Sequence, residues 1–414
     1  MNEHARVAPR LADLVGVSTD PMPARLYTDP AHYELERERI FGRAWLMVGR
    51  VERIADPGQF FVKDLTMLGV SALITRTKGG EIRAFHNVCS HRNNNVVLAE
   101  EGKAARFTCR YHNWTYDSQG ALVGVPDPGG FFSLDKKKCG LTPIACDVWD
   151  GWIFINLQPE PEVTLADFLG PFGKEFANIP YPHADHCLVL TGEVKANWKC
   201  LADNFSEFYH IFAIHPKTLA PVYAGRDNPC SRPIDAGAFG AHRSASGWLN
   251  TAYRTPKSAK VASWLYPEHQ TMTGTGKQGD ITPLASHPRV NPTNRQDWSS
   301  DVNWMFPNWH IQISANRFWT HEFWPLSRNT SKWEARFYQP KPTNARERLQ
   351  LEHFVAMISE TFLEDLANIE STQRGMESGA KSLVHLHESE ILIRHSLEQV
   401  MKWTDAGTTR EALA

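Results

Sequence analysis

Two short Cys–His pairs have the most specific spacing for metal chemistry in this chain. Cys89-x-His91 is followed, after 17 residues, by Cys109-x-x-His112. Thiolates and imidazoles are ligands of both iron–sulfur centres and zinc. Zinc sites more often pair Cys with Cys and His with His, whereas a Rieske centre holds one iron by two cysteines and the other by two histidines. The spacing therefore favours a Rieske-type [2Fe–2S] cluster, and a Cys2His2 zinc site is the alternative.

A second pair of potential ligands lies in the middle of the chain, at His210 and His215. Two imidazoles and one carboxylate form the facial triad of non-heme ferrous oxygenases, which leaves positions open for O2 and substrate. On an ideal helix these histidines would lie about 140° apart, so they converge only if the helix is distorted or ends there. Pro216 favours an ending, because the residue before a proline avoids the α region. Two histidines also share a helix by chance, so the pair alone does not establish a metal site.

A carboxylate from further along the chain must complete such a triad, and the candidates are Glu364 and Asp365. An apolar helical stripe passes through this segment at Ile358, Phe362, Leu366 and Ile369. Asp365 lies on that stripe, whereas Glu364 lies on the solvent-facing side with Glu360. Burying an unpaired carboxylate is costly, and a ferrous ion would be a suitable partner for Asp365. The alternative is a buried ion pair between Asp365 and an arginine.

The elements that must position these ligands change in type along the chain. A helix is expected from Pro30, and short β-strands separated by Gly-containing turns follow from Trp45 to Asn156. Beyond a proline-containing linker at 157–164, we predict a strand at 187–194, a helix at 197–215, long loops at 221–300 and antiparallel strands at 303–339. Helices are predicted at 344–375 and 388–404. The aromatic run from Trp304 to Trp324 lines a pocket or fills a core, with about half of its side chains on each face.

Composition excludes several classes of function. The chain has 414 residues, 44 Lys and Arg against 46 Asp and Glu, and seven cysteines. This charge balance gives no sign of a nucleic-acid or anionic-membrane partner, and there is no apolar run long enough to span a membrane. The first residues lack the apolar core of a secretory signal, and the few cysteines argue against a disulfide framework. We therefore expect a soluble, cytoplasmic protein.

One further motif is a decoy. Gly274–Gly279 fits G-x-G-x-x-G, but no apolar strand precedes it and no amphipathic helix follows it. Without a nucleotide site, the chain is not expected to take electrons directly from NAD(P)H.

The two ligand groups together resemble the Rieske non-heme iron aromatic-ring-hydroxylating oxygenases, α (catalytic) subunit. The resemblance covers about residues 30 to 400. It is carried by Cys89-x-His91 with Cys109-x-x-His112, by the run Glu207-x-x-His210-x4-His215, and by a Glu-Asp pair with Gln373 eight residues later. Where the family often has glycine after His-Arg and after Tyr-His, this chain has Asn93 and Asn113, and asparagine tolerates left-handed backbone angles.

The resemblance implies the ligands, the roles and the fold. Cys89, His91, Cys109 and His112 would hold the [2Fe–2S] cluster, and His210, His215 and Asp365 would hold a mononuclear Fe(II). Glu207 would link the iron ligand to the cluster histidine of a neighbouring subunit, with Asn204 beside it. The implied fold is α+β, with a β-rich Rieske domain and a helix-grip catalytic domain. We expect an N-terminal segment at 1–44 packing on the catalytic domain, the Rieske domain at 45–160 and the catalytic domain at 161–414.

The resemblance also implies the function. A separate NAD(P)H-dependent reductase, and in some systems a ferredoxin, would reduce the cluster, and electrons would pass to the iron, where O2 hydroxylates or oxidatively demethylates a small organic, aromatic substrate. A role in aromatic hydrocarbon catabolism and a homotrimer follow, in which His112 of one subunit lies near Glu207 of the next. Two alternatives are a Rieske electron-transfer protein without oxygenase activity and a zinc-stabilised binding protein.

Overall fold

The computed structural model describes residues 11–182, 184–265, 283–314 and 317–414. They form two compact units. The smaller unit comprises Glu34–Phe168 with Ala406–Ala414, and the larger unit comprises the residues up to Tyr33 with Leu169–Asp405. The rejected Gly274–Gly279 motif lies outside the described residues.

The smaller unit is built from antiparallel strands. Its main sheet has seven strands, in the spatial order Leu46–Arg50, Trp152–Asn156, Pro143–Trp149, Ile82–His86, Val70–Arg76, Gln59–Leu65 and Glu101–Lys103. A second sheet has three strands, Arg106–Thr108, Thr115–Asp117 and Leu122–Gly124. Short helical segments lie at Glu36–Phe41, Val51–Ile54, Thr66–Leu68, Pro128–Gly130, Lys136–Lys138 and Thr409–Leu413. The predicted β-rich architecture is confirmed.

The larger unit is an antiparallel sheet with helices. Its seven strands are ordered Cys187–Val194, Thr330–Tyr338, Phe318–Ser327, Trp309–Ser314, Trp298–Met305, His242–Trp248 and Asp235–Phe239. A two-stranded sheet pairs Met22–Pro23 with Leu383–Val384. Helical segments of this unit are Leu11–Val15, Arg25–Thr28, Trp198–Asn204, Ile211–Ile214, Ala220–Tyr223, Lys260–Leu265, Pro283–Ser286, Ala345–Glu377, Glu388–Glu390 and Ile391–Asp405. Two further helices, Pro30–Leu35 and Leu165–Glu175, cross the unit boundaries. The predicted α+β class is confirmed.

Two asparagine caps set the start of the helices that carry the candidate iron ligands and their neighbours. The Asn197 side chain accepts a hydrogen bond from the Lys199 backbone N–H at 3.0 Å and begins the helix Trp198–Asn204. The Asn344 side chain accepts from the Glu347 backbone N–H at 3.0 Å and begins the helix Ala345–Glu377. Each cap satisfies one of the amide donors that a helix N-terminus leaves unpaired. The two helices pack against each other.

The sheet places a row of side chains on one face. Cross-strand pairing aligns Arg243 with Trp304, Trp304 with His310, and His310 with His321. Successive side chains of a strand point to opposite faces, so Trp319 shares the face of His321, whereas Trp324 lies on the other. The aromatic run is therefore divided between the two faces, as the strand pattern predicts.

The prediction of long loops throughout 221–300 is wrong. Strands Asp235–Phe239 and His242–Trp248 form a hairpin inside this segment, and the second strand pairs with Trp298–Met305. Glycine, alanine and serine dominate the two strands and have little intrinsic preference for β structure. Pairing with the strand Trp298–Met305 stabilises them despite this weak preference. A pairing between segments so far apart cannot be predicted from the local sequence.

Candidate functional site

The two predicted cluster loops have the same backbone geometry. The Cys89 backbone N–H donates to the Asn94 carbonyl at 2.8 Å, and the Cys109 N–H donates to the Trp114 carbonyl at 2.9 Å. Each hydrogen bond closes a tight loop around its cysteine, and both loops follow a strand of the smaller unit. The thiols of Cys89 and Cys109 are buried and close enough to share a hydrogen bond. The loops therefore present two sulfurs side by side.

Asn93 and Asn113 occupy the two loop positions at which the family often has glycine. Both adopt a left-handed backbone with φ of 57°. Their backbone N–H groups donate to the carbonyls of Cys89 and Cys109, at 3.0 and 2.9 Å. Asparagine is one of the few non-glycine residues that enter this region readily. The expectation that the loops form with asparagine is confirmed.

The histidines of the two loops approach each other. The ring centroids of His91 and His112 lie 4.5 Å apart, and His91 stacks on Trp114 at 5.0 Å. His91 Nδ1 is buried without a hydrogen-bond partner, although a buried polar atom normally has one. A ligand bond to a metal would satisfy that nitrogen. Two thiols and two imidazoles on paired loops therefore fit a Rieske [2Fe–2S] cluster.

The Tyr116 hydroxyl donates to Cys89 Sγ at 3.3 Å and accepts from the Ser90 backbone N–H at 2.9 Å. Burial raises the pKa of the Cys89 thiol, and this hydroxyl opposes the rise by stabilising the thiolate. Hydrogen bonds to ligand sulfurs also stabilise the reduced, more negative cluster and so raise its potential.

Tyr116→Phe should therefore lower the midpoint potential of the cluster. The expected shift is tens of millivolts, because a hydrogen bond of ~1 kcal/mol corresponds to roughly 40 mV for one electron. Spectroscopic redox titration measures the shift. Tyr111→Phe is the matched control, since Tyr111 is exposed and packs on His112. Equal potentials for the two variants would contradict this role of the hydroxyl.

The larger unit brings the three predicted iron ligands together. The helix that carries Asn204 ends at that residue, and the chain resumes a helix only over Ile211–Ile214, with His210 and His215 at its two ends. His215 Nε2 lies 3.0 Å and His210 Nε2 lies 3.6 Å from the same carboxylate oxygen of Asp365. One donor atom of each residue lies within 4.8 Å of the other two. The predicted helix end before Pro216 is confirmed, whereas the predicted continuous helix over 197–215 is wrong, because the chain leaves the helical path at 205–210.

A carboxylate accepts a hydrogen bond from the Nδ1 atom of each of the two histidines, His210 and His215. Glu207 accepts from His210 Nδ1 and from the His210 backbone N–H, and Glu364 accepts from His215 Nδ1 at 2.7 Å. Both Nε2 atoms are therefore left to face Asp365. Such outer carboxylates orient metal-bound imidazoles and raise their basicity. Two imidazoles and a carboxylate arranged in this way fit a ferrous ion with open coordination positions.

Asp365 itself is buried and accepts from Asn204 Nδ2 at 2.8 Å on the oxygen that faces the histidines. No ion pair to an arginine holds this carboxylate within the described ranges, which removes the alternative reading of its burial. Asn204, predicted as a neighbour of the site, lies where it can orient the acid.

Sequence reasoning missed the role of Glu364 as the hydrogen-bond partner of His215. The helical pattern predicted Glu364 on the solvent-facing side, and this is wrong, because the side chain is about a quarter exposed and contacts His215. The same carboxylate oxygen of Glu364 also accepts a hydrogen bond from the Thr218 hydroxyl at 2.8 Å. One residue step turns a helix by ~100°. His215 therefore contacts Glu364 from the side of the helix, between its buried and exposed faces. A pattern that divides the helix into only two faces does not predict such a contact.

Glu364→Ala should weaken Fe(II) binding by roughly 10- to 100-fold, the usual cost of losing the partner of a metal-bound histidine. Fe(II) affinity measured by equilibrium competition with a chelator tests this without reference to turnover. Glu360→Ala, at an exposed position of the same helix, is the control. Unchanged affinity in Glu364→Ala would show that the contact with His215 does not help to hold the metal.

A pocket opens beside these ligands, with about 610 Å³ of empty space when the solvent at its mouth is included. Its described walls are mostly apolar, and they include no lysine or arginine. The residues that line it are Asn204, Phe205, Glu207, Phe208, His210, Ile211, His215, Leu219, Tyr223, Val302, Gln312, Trp319, His321, Ile358, Thr361, Phe362 and Asp365. The ligand set therefore faces a space suited to a small organic molecule.

Known proteins resemble this chain in both units. Over 278 residues it is 32% identical to the glycine betaine monooxygenase oxygenase subunit of Pseudomonas aeruginosa, a match that covers 62% of this chain and 61% of that protein. Over 214 residues it is 36% identical to the biphenyl 2,3-dioxygenase subunit alpha of Rhodococcus jostii, covering 48% and 44%. The chain thus matches between about two fifths and three fifths of the length of these relatives.

Solved structures share the fold over nearly the whole chain. A quaternary ammonium Rieske monooxygenase aligns with a TM-score of 0.72 and 21% identity, over 94% of this chain and 96% of that one. Naphthalene 1,2-dioxygenase from Rhodococcus sp. aligns with a TM-score of 0.71 and 23% identity, over 94% and 95%. In the described part of the chain, every helix is too short or too polar to cross a bilayer.

Two family models match the chain in sequence. The Rieske [2Fe-2S] domain matches residues 44–136, and the ring hydroxylating alpha subunit (catalytic domain) matches residues 175–406. The second match alone covers more than half of the 414 residues. The chain therefore belongs to the ring-hydroxylating alpha-subunit family, in which a Rieske [2Fe–2S] domain is joined to a catalytic domain that binds a mononuclear iron.

Proposed function

We propose that this protein is the terminal oxygenase component of a multicomponent Rieske system. It uses O2 and electrons from a separate reductase to hydroxylate, or oxidatively demethylate, a small organic substrate. The observation that carries this proposal is the triad His210, His215 and Asp365 at the wall of an apolar pocket. An electron carrier needs neither the triad nor the pocket.

In this proposal, Cys89, His91, Cys109 and His112 hold the [2Fe–2S] cluster, and His210, His215 and Asp365 hold Fe(II). When bound, the cluster supplies single electrons and the iron activates O2. The protein's own contribution is positional. Glu207 and Glu364 hold the imidazoles in one tautomer, and Asn204 orients the Asp365 carboxylate. The apolar walls exclude water and orient the substrate toward the open coordination positions.

Domain roles and assembly follow the same proposal. We assign residues 45–160 to the Rieske domain and 161–414 to the catalytic domain, and residues 34–44 lie in the same compact unit as the Rieske strands. The functional form is a cytoplasmic homotrimer, in which His112 of one subunit lies near Glu207 of the next. The exposure of His112 supports this assignment, because an exposed cluster ligand is accessible to another chain.

The pocket favours a neutral aromatic substrate over a zwitterion. Phe205, Phe208, Trp319 and Phe362 line it and suit an aromatic ring. Aromatic faces also attract quaternary ammonium groups. A zwitterion such as glycine betaine would in addition bring a carboxylate, for which the described walls offer no lysine or arginine. This argues for an aromatic compound and for a role in aromatic catabolism.

A single-turnover experiment tests the proposal. The iron-loaded protein is reduced chemically, so that no partner is needed, and is given heavy O2 with a panel of aromatic, N-methyl and terpenoid compounds. Mass spectrometry should find one or two labelled oxygen atoms in a product, and iron analysis should find three irons per chain. Cluster reoxidation without any product, together with two irons per chain, would favour the electron-transfer protein.

A further inference from the structure

His321 lines the pocket, and a neighbouring strand fixes its tautomer. The Trp333 indole N–H donates to His321 Nδ1 at 3.0 Å, and both side chains are buried. An indole nitrogen can only donate, so Nδ1 must be the acceptor. The hydrogen of the neutral imidazole then resides on Nε2. His321 consequently carries an N–H donor at the ring nitrogen opposite Trp333.

The imidazole is held in place and kept neutral. It stacks between Phe205, at 4.5 Å between ring centroids, and His310, at 4.9 Å. Phe362 packs edge-on against it at 5.6 Å. Burial lowers the pKa of His321 to about 3, so the ring stays uncharged at neutral pH. The pocket therefore receives a rigid, neutral donor rather than a mobile cation.

Three other polar side chains of the pocket each donate one hydrogen to a protein partner. Gln312 donates through Nε2 to the Ser300 hydroxyl at 2.9 Å, and Thr361 donates to the Met357 carbonyl of its own helix at 3.0 Å. The Asn204 amide donates to Asp365. In contrast, no atom of the described residues accepts a hydrogen bond from His321 Nε2. Once a ligand excludes water from the pocket, a donor without an acceptor is costly, and an acceptor atom of the ligand can pair with it.

We propose that His321 determines substrate specificity by donating a hydrogen bond from Nε2 to an acceptor oxygen of a neutral aromatic substrate. Carbonyl, ether and hydroxyl oxygens have this chemistry. The inference rests on the proposed function, because it takes the pocket beside the triad as the substrate site. A pure hydrocarbon of the same shape would leave the donor unpaired, so it should bind more weakly.

Matched pairs of compounds test the inference in the wild-type protein loaded with cluster and iron. Each pair exchanges a carbonyl for an isosteric methylene group: acetophenone with α-methylstyrene, 2-acetylnaphthalene with 2-isopropenylnaphthalene, and benzophenone with 1,1-diphenylethylene. Calorimetry should show at least one pair in which the ketone binds about tenfold more tightly, the effect of satisfying one buried donor. Equal affinities within every pair that binds, or binding by no member of any pair, would overturn the inference.

Two variants separate the donor from the ring. His321→Phe keeps a stacked ring without the N–H and should remove the preference for the ketone. His321→Gln keeps an N–H donor and should retain part of it. A preference unchanged in His321→Phe would overturn the role of His321. If the phenylalanine variant fails to fold, the wild-type pairs and the glutamine variant still decide.

The outcome also separates this inference from the proposed function. A ketone preference without oxygenated product would leave the binding role of His321 in place and contradict the oxygenase. Labelled product without a ketone preference would leave the oxygenase in place and contradict the role of His321.

Discussion

Replacing Asp365 with alanine should remove the mononuclear iron and abolish substrate oxidation, while the [2Fe–2S] cluster stays in place. Asp365 is the one carboxylate in the group of three ligands, and both imidazole Nε2 atoms face its oxygen. Without it, two neutral imidazoles remain, and they hold Fe(II) far more weakly than a facial triad does. We expect turnover to fall by at least ~1,000-fold, the scale of losing a group on which the chemistry depends.

Iron analysis and single turnover measure this result together. The iron content should fall from three to two per chain, while the visible absorption of the cluster stays the same. Asn368→Ala is the matched control, because Asn368 is exposed on the same helix. A third iron and normal turnover in Asp365→Ala would show that another residue supplies the acid ligand. The thermal unfolding midpoint checks that any loss is not a loss of fold.

The triad shows how far spacing alone predicts a site. Pro216 predicts the helix end that the structure contains after Ile214, whereas the break at 205–210, which separates His210 from the preceding helix, has no signal in the spacing. The apolar stripe correctly places Asp365 inward. It fails for Glu364, because a stripe divides a helix into two faces, whereas the contact with His215 comes from the flank. The residue type and inward position of Asp365 predict it as a metal ligand. The contact between Glu364 and His215, however, depends on how the segment that contains His215 packs against the helix.

The pocket wall was less predictable than the ligands. Strand His242–Trp248 was expected to be loop, yet it forms part of the sheet behind the pocket. Gly247 illustrates why. A Cβ atom at this position would lie 2.8 Å from the Phe208 ring, which lines the pocket. The glycine therefore permits a close approach of two distant segments, although in the sequence it resembles a loop residue. Long-range packing of this kind is absent from local patterns.

The same limit applies to His321. Its place on a strand follows from alternation, but the strand register decides that Trp333 donates to Nδ1. Trp333 is the direct partner of Phe323 and reaches His321 diagonally, so a change of register would alter this contact. The tautomer, and with it the chemistry offered to a substrate, is therefore a property of the assembled sheet.

A trimer that contains both His112→Ala and His210→Ala subunits should be active, although each variant alone is inactive. His112→Ala removes a cluster ligand that is exposed at the surface, and His210→Ala removes an iron ligand. Each variant alone should be inactive. In the proposed trimer, however, electrons pass from the cluster of one subunit to the iron of the next, by way of Glu207. A His210→Ala subunit then supplies an intact cluster to the intact iron of a His112→Ala neighbour.

The expected activity can be calculated from the symmetry of a head-to-tail ring. Every trimer that contains both variants has one junction out of three that combines an intact cluster with an intact iron, so about one third of the wild-type turnover is expected. Co-expression under two affinity tags, followed by tandem purification, yields mixed trimers, and turnover per trimer is compared with wild type. Pairing His112→Ala with the double variant His112→Ala/His210→Ala is the inactive control. If electrons instead passed within a single chain, no subunit of the mixture would contain both intact centres, and the mixed trimers would be as inactive as their parents.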